Sequence, residues 1–236
     1  MKLDILLHRR GPALWPEVFP LPLLKSRLRE LGTALFHTVY QGEPAPAEGL
    51  VFRAEWFRSY ATHPKLVETG QAWDTAMKGG QEHDYSCGVT GGRDADGNIY
   101  LLDVWRGQVD TPELVRVVKA QAARWRPRWV LIEDASSGPA IRALLRAGGM
   151  LPIIPVRADK DKRRRALAIT PAVEGGNVRL PEHAPWLEAF RDEICSFPGA
   201  PHDDQVDAFV YLITRFLTRS AAPIDRIETI QRPRGW

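Results

Sequence analysis

The sequence predicts an α/β domain, with one mixed five-stranded sheet flanked by helices and a mostly irregular and helical arm in front of it. Residues 71–105 hold three apolar runs joined by turns, the pattern of an antiparallel meander. After Thr111 the chain alternates apolar runs with amphipathic stretches of helical period. Before Gly70 it is broken into short pieces by Pro12, Pro16, Pro20, Pro22, Pro44 and Pro46. Parallel neighbours need a helical crossover, so a meander followed by strand, helix and strand implies a mixed sheet with helices on its faces.

Residues 1–69 read as an arm. It holds an amphipathic helix at 23–31 closed by Gly32, a second short helix at 33–40 and an extended connector at 41–46, while Trp56, Phe57 and Tyr60 cover part of the main domain. Residues 70–220 form the domain, and 221–236 a C-terminal tail. The first strand is expected at 71–77 and the second at 85–90, with Asp94-Ala95-Asp96-Gly97-Asn98 turning the chain into a third at 99–105. Thr111 and Pro112 supply a capping hydroxyl and a first-position proline for a helix reaching Trp125, with Leu114, Val117, Val118 and Ala122 as its stripe. A fourth strand at 129–132, a helix at 138–146 closed by Gly148-Gly149, and a fifth strand at 152–156 follow. Helices at 162–174, 185–197 and 204–217 cover the sheet, whose strand order reads 3-2-1-4-5.

Composition sets bounds only. The chain has 236 residues, 44% hydrophobic and 26% charged, enough for one substantial domain and an extension. Lys and Arg number 32 against 29 for Asp and Glu, so net charge alone argues only weakly for nucleic acid. Cys87 and Cys195 are too few for a disulfide framework or a zinc site and read as buried thiols of a reducing cytosol. The apolar stretch at the start is too short for a signal peptide and no later segment approaches a membrane span, so the expectation is a cytoplasmic protein without membrane contact.

The chemistry is concentrated in carboxylates. Glu133-Asp134 ends the apolar run Trp129-Val130-Leu131-Ile132, and Asp74 lies in an uncharged stretch. An ionised carboxylate in such a place must be paired or bound to a cation. His202-Asp203-Asp204-Gln205-Val206-Asp207 opens the last helix, where Asp204 with Asp207, or Asp203 with Asp207, share a face. These residues also read as a capped, solvated helix start, since a helix N-terminus favours negative charge. In a sheet ordered 3-2-1-4-5, Asp74 and Glu133 sit on neighbouring strands, and convergence with the helix would suit a hard divalent cation that takes oxygen ligands.

Four segments together resemble the nuclease domain of tailed-phage terminase large subunits. They are Trp73-Asp74-Thr75-Ala76, Tyr100-Leu101-Leu102-Asp103-Val104-Trp105-Arg106-Gly107, Ile132-Glu133-Asp134 followed by Ser137-Gly138, and His202-Asp203-Asp204-Gln205-Val206-Asp207-Ala208. In the arm, Leu14-Trp15-Pro16 and Gly32-Thr33-Ala34-Leu35-Phe36 with Tyr40-Gln41 and Pro44 resemble the segment that joins that family's ATPase to its nuclease. The resemblance implies a ribonuclease H-like fold and metal-dependent cutting of concatemeric phage DNA during genome packaging. It implies two Mg2+ ions, with Mn2+ able to substitute. Asp74 would bridge them, Glu133 would bind one, and Asp204, Asp207 or both would bind the other. Asp203 reads as a cap or supporting group, His202 as an exposed loop residue or a proton-transfer group, and Asp134 as the alternative to Glu133 should the strand end one residue differently. Asp84 and Asp103 are outer-ligand alternatives to plain turn or strand-edge roles. Lys78, Lys160, Lys162, Arg163, Arg164 and Arg165 form the candidate track for double-stranded DNA, against the plainer reading of a solvated helix start.

One departure is large. The family's ATPase half carries a phosphate-binding loop, and no G-x-x-x-x-G-K-[ST] occurs here, so no ATPase activity is expected of this chain. It reads as a cloned fragment, a split gene or a remnant, working with a separate terminase ATPase, small terminase subunit and portal. Two other readings stay open: a non-catalytic packaging module that docks on the portal, and a branched-DNA resolvase of the same fold.

Overall fold

The computed structural model describes residues 18–40, 50–75, 85–135, 137–149, 152–157 and 161–220. The elements run α1 (Leu21–Tyr40), a 3-10 turn at Ala54–Trp56, β1 (Arg58–Tyr60), β2 (Glu68–Asp74), β3 (Ser86–Arg93), β4 (Ile99–Gly107), α2 (Thr111–Trp125), β5 (Trp129–Glu133), α3 (Gly138–Ala147), β6 (Ile153–Val156), α4 (Lys162–Glu174), β7 (Val178–Pro181), α5 (Leu187–Ser196) and α6 (Asp204–Ser220). One seven-stranded sheet has the order β1-β7-β4-β3-β2-β5-β6. The expected 3-2-1-4-5 order is its β4-β3-β2-β5-β6 portion, and β7 and β1 extend the sheet beyond β4.

These two strands correct the expected count of five. β1 is a polar Arg-Ser-Tyr of 3 residues, and β7 has only 4. Neither is long enough to show a strand period, and each is ordered by a parallel partner, β1 on β7 and β7 on β4. The stretch before Gly70 that reads as an arm thus contributes β1 to the sheet, together with Val51, Phe52 and Phe57 to its core.

The meander arises as the turn chemistry predicts. Asp94 accepts from the Asp96 and Asn98 amides, and Gly97 adopts φ 87°, a left-handed conformation open to glycine, so β3 returns as β4. Helix α2 differs from expectation in its cap, because the Asp110 carboxylate, not the Thr111 hydroxyl, accepts from the Glu113 amide at 2.8 Å. Gly32, at φ 71° and ψ 165°, kinks α1 into the two expected helical halves. The second half restarts at Thr33, whose amide donates to Glu174 at the end of α4 at 2.9 Å and whose hydroxyl donates to the same carboxylate.

Alternation along β2 and β5 splits the core between the two faces of the sheet. Trp73, Val130 and Ile132 face α2 and α3, with Leu114, Val118, Ile141 and Leu145. Ala72, Trp129 and Leu131 face the other way, where Ala166 and Ile169 of α4, Phe190 and Ile194 of α5, and Phe209, Leu212, Ile213 and Phe216 of α6 close over them. Burying each large apolar side chain of α6 contributes roughly 1.5–3 kcal/mol, enough to hold this helix down while its first turn carries uncompensated charge. No helix among the described residues is long and apolar enough to cross a membrane.

Candidate active site

Strand register places the first two carboxylates. β2 and β5 are parallel neighbours with Trp73 opposite Ile132, so the next residues, Asp74 and Glu133, lie side by side at the carboxyl ends of adjacent strands. Trp73 and Ile132 both point to the α2/α3 face, and a strand inverts its side chains at every step. Asp74 and Glu133 therefore share the opposite face, under α6. The same alternation turns Asp134 away, towards α3, where Arg142 takes it at 2.6 Å. Gly138 keeps this corner tight, for a Cβ there would lie 1.9 Å from the Glu133 carbonyl oxygen.

Helix α6 supplies the rest of the cluster. Asp204, Asp207 and Tyr211 are spaced by three and four residues, one helical stripe, and the charges of Asp207 and Asp204 both bear on Asp74. Asp207 is buried, whereas Asp203 and Asp204 are partly exposed and His202 is exposed. The Tyr211 hydroxyl donates to Glu133 at 2.8 Å.

Among the described residues the site is short of positive charge. Lys162 contacts Asp203 at 2.9 Å and Asp207 at 2.7 Å, Arg165 contacts Asp207 at 2.7 Å and also donates to the Tyr211 hydroxyl, and Arg106 lies 3.4 Å from Asp204. These three cations face six carboxylates, since Glu193 of α5 stands close to Arg106 as well. Burial pushes Asp74 well above the ordinary carboxyl range, reinforced by a hydrogen bond with Glu133 and by the charges of Glu133, Asp207 and Asp204. Asp204 is raised by burial and by Glu193. Asp207 is also raised by burial, against the opposing pull of Lys162 and Arg165.

A hydrogen bond between two carboxyls holds a proton where a cation would otherwise neutralise both. Among the described residues, no three His, Cys, Asp or Glu side chains already stand in ion-holding geometry. Lys162 and Arg165 of α4 engage both oxygens of Asp207. In kind, the donors fit a hard cation such as Mg2+ or Mn2+: oxygens only, at least two of them close, with surplus negative charge.

Four other side chains named from sequence fall elsewhere or outside. Lys78, Lys160 and Asp84 lie outside the described residues. Asp103 accepts from the Trp125 indole at 3.1 Å and from Arg124, a strand-edge role. Of the basic run, Lys162 and Arg165 face the acidic cluster, whereas Arg164 is exposed and Arg163 half-buried. Sequence reasoning missed Tyr211, Arg106 as a neighbour of Asp204, and Glu193. Tyr211 was findable, because it continues the stripe of Asp204 and Asp207; Glu193 was not, because only tertiary packing of α5 on α6 brings it near.

Comparison with known proteins identifies the family and the fold. The family profile described as the terminase RNase H-like domain matches residues 71–216. Among solved structures, the large terminase from a thermophilic bacteriophage superposes with a TM-score of 0.64 at 15% identity, over 85% of this chain and 55% of that one. The large terminase nuclease from another thermophilic phage, G20c, solved with bound magnesium, gives a TM-score of 0.51 at 19% identity, over 72% of this chain and 99% of that one. The same nuclease with bound cobalt gives the same values, 0.51 and 19%. At such identities the likeness is one of fold, and the chain spans 55% of the length of the first of these large terminases. No curated protein matches the chain in sequence.

Proposed function

The chain belongs to the family of terminase RNase H-like domains, and from that premise we propose that it is a metal-dependent endodeoxyribonuclease that cuts concatemeric viral DNA during genome packaging. The observation that supports the reading is the proximity of Asp74, Glu133, Asp204 and Asp207, from three distant segments, on one face of the sheet, with more negative charge than the cations among the described residues offset. A purely structural cluster has no reason to gather carboxylates in excess of the cations beside them.

When bound, two hard divalent cations, Mg2+ or Mn2+ in its place, would supply an activated water on one side of the scissile phosphate and stabilisation of the leaving oxygen on the other. Asp74, at the carboxyl end of β2 between Glu133 and α6, is the residue that would hold both cations. Glu133 would hold one ion, its orientation fixed by the Tyr211 hydroxyl. Asp204, Asp207 or both would hold the other, with Asp203 supporting through Lys162. Lys162, Arg163 and Arg164 open α4 beside these carboxylates and offer phosphate contacts that position a duplex without reading its sequence. On this reading the partners are double-stranded DNA and, in the assembled machine, a terminase ATPase, a small terminase subunit and the portal, all in the host cytoplasm.

Nicking of supercoiled plasmid in Mg2+ or Mn2+ tests the assignment. Wild type nicks and then linearises, EDTA stops it, and Asp74→Asn, Glu133→Gln and Asp204→Asn each lose at least about 100-fold in rate. Cleavage that survives Asp74→Asn and Asp204→Asn removes the assigned site, and a folded wild type inert on both duplex and branched DNA leaves the non-catalytic docking module.

A further inference from the structure

Three carboxylates are buried among the described residues: Glu68, Glu193 and Asp207. Glu68 is satisfied by Arg93 at 3.1 Å and by the Trp129 indole at 2.9 Å, and Asp207 belongs to the site. Glu193 has no part in the roles assigned above, yet it touches the start of α6 twice. Its Oε1 accepts the Gln205 amide at 2.7 Å and its Oε2 accepts the Gln205 side-chain amide at 2.6 Å. This clamps the first turn of α6, the turn that carries Asp204 and Asp207.

The second neighbour of Glu193 is Arg106. One guanidinium nitrogen, Nη2, stands 3.9 Å from Glu193 Oε2 and 3.4 Å from Asp204 Oδ2. Both distances exceed the roughly 2.7–2.9 Å of a charge-assisted hydrogen bond: Arg106 makes a long hydrogen bond to Asp204 and a looser ion pair with Glu193, so the two carboxylates share it. It lies over the Tyr85 ring, 3.8 Å from its centroid, and its buried Nε has no hydrogen-bond partner among the described residues. Were the Glu193 charge absent, the attraction on this guanidinium would fall to Asp204 alone.

We propose that Glu193 is a positioning residue for the cation site: it pins the first turn of α6 through Gln205 and competes with Asp204 for Arg106, loosening the hold of that guanidinium on a carboxylate that a divalent cation needs. The inference rests on the metal-site reading above. It differs from a simple helix cap, because a cap accounts for the Gln205 bonds and says nothing of Arg106.

The test is calorimetric titration of the DNA-free chain with Mn2+, for wild type, Glu193→Gln, Arg106→Gln and the double variant. Glu193→Gln keeps an acceptor for the Gln205 amide and removes the charge, and should weaken Mn2+ binding about 10-fold, the scale on which supporting partners act on metal ligands. Arg106→Gln alone should tighten it several-fold, and the double variant should return to within about threefold of wild type, since the competing cation is gone. A plain cap predicts instead that the double variant stays as weak as Glu193→Gln. That outcome, or wild-type affinity in Glu193→Gln, or no tightening in Arg106→Gln, overturns the proposal, and the last keeps it open to refutation should Glu193→Gln fail to fold. Absence of any Mn2+ binding by folded wild type overturns the metal-site reading itself, whereas wild-type binding with unmoved variants overturns only the role of Glu193.

Discussion

Lys162 sets its ammonium 2.7 Å from one oxygen of Asp207, while Arg165 holds the other oxygen at the same distance. Asp207 is buried, so the two cations of α4 offset a charge that water does not reach. The same lysine was a candidate for the DNA backbone from sequence. Its position makes it a competitor of any metal for Asp207.

Lys162→Gln should therefore tighten Mn2+ or Mg2+ binding several-fold in the absence of DNA. Without metal the variant loses about 1–2 kcal/mol of stability, since Arg165 alone remains against Asp207. Calorimetry and urea melts read the two effects. If the lysine also touches phosphate, the salt slope of DNA binding drops by about 1 in the same variant, measured by fluorescence anisotropy over a range of salt.

The raised carboxyls give the metal-free chain a pH dependence of definite sign. Asp74, Asp204 and Asp207 hold protons more firmly folded than unfolded, so their contribution to stability is complete below the unfolded value of 3.8 and is lost as pH rises through their folded values. In EDTA the melting temperature should fall as the pH is raised from about 4 towards neutrality. Added Mg2+ should restore it most at neutral pH. Asp74→Asn should flatten the profile, raise metal-free stability at neutral pH by about 1–2 kcal/mol and abolish much of the Mg2+ effect, as expected where function is held against stability. A steeper profile in Asp74→Asn would contradict the account.

Gly138→Ala addresses the corner behind Glu133. Its Cβ would stand 1.9 Å from the Glu133 carbonyl, a backbone atom with no rotamer to change. A destabilisation of at least about 2 kcal/mol is expected, with plasmid nicking reduced even where the chain remains folded, because β5 must shift to accommodate the methyl group. Nicking and stability both at wild-type levels would show that the turn has slack that the structure does not display.

Tyr211→Phe removes the donor to Glu133 and the acceptor for Arg165, leaving ring and packing intact. About 1 kcal/mol of stability should go with it. Glu133 loses its orientation at the same time, so the metal concentration for half-maximal nicking should rise while the rate at saturating metal changes little. A loss confined to the saturated rate would place Tyr211 at the reacting groups instead.

The fold and the acidic residues were readable for unequal reasons. Long periodic segments such as α2 and α6 declared themselves, and the run from Trp129 to Glu133 placed β5 within a residue of its bounds. Adjacency of Asp74 and Glu133 followed from strand order, and that order is observed. The polar triplet of β1 and the short β7 carried no period to read. The partners of the acidic cluster were hidden for a different reason. Lys162 and Arg165 read as part of a DNA track or a solvated helix start, because a single helix shows which residues share a stripe, not which stripe meets another helix. Arg106 and Glu193 meet Asp204 from β4 and α5, separated from it by 98 and 11 positions of chain, so only the packed structure joins them.

Helix α6 performs two tasks with opposite physical demands. Phe209, Leu212, Ile213 and Phe216 bolt it to the sheet, and Asp204, Asp207 and Tyr211 ride on an adjoining stripe of the same rod. A helix is stiff along its length, so the acidic stripe has no freedom of its own: its placement over Asp74 is inherited from how four apolar side chains seat some residues away. Conservative repacking at Phe209 or Leu212, remote from any charge, would therefore re-aim the carboxylates as surely as a change among them.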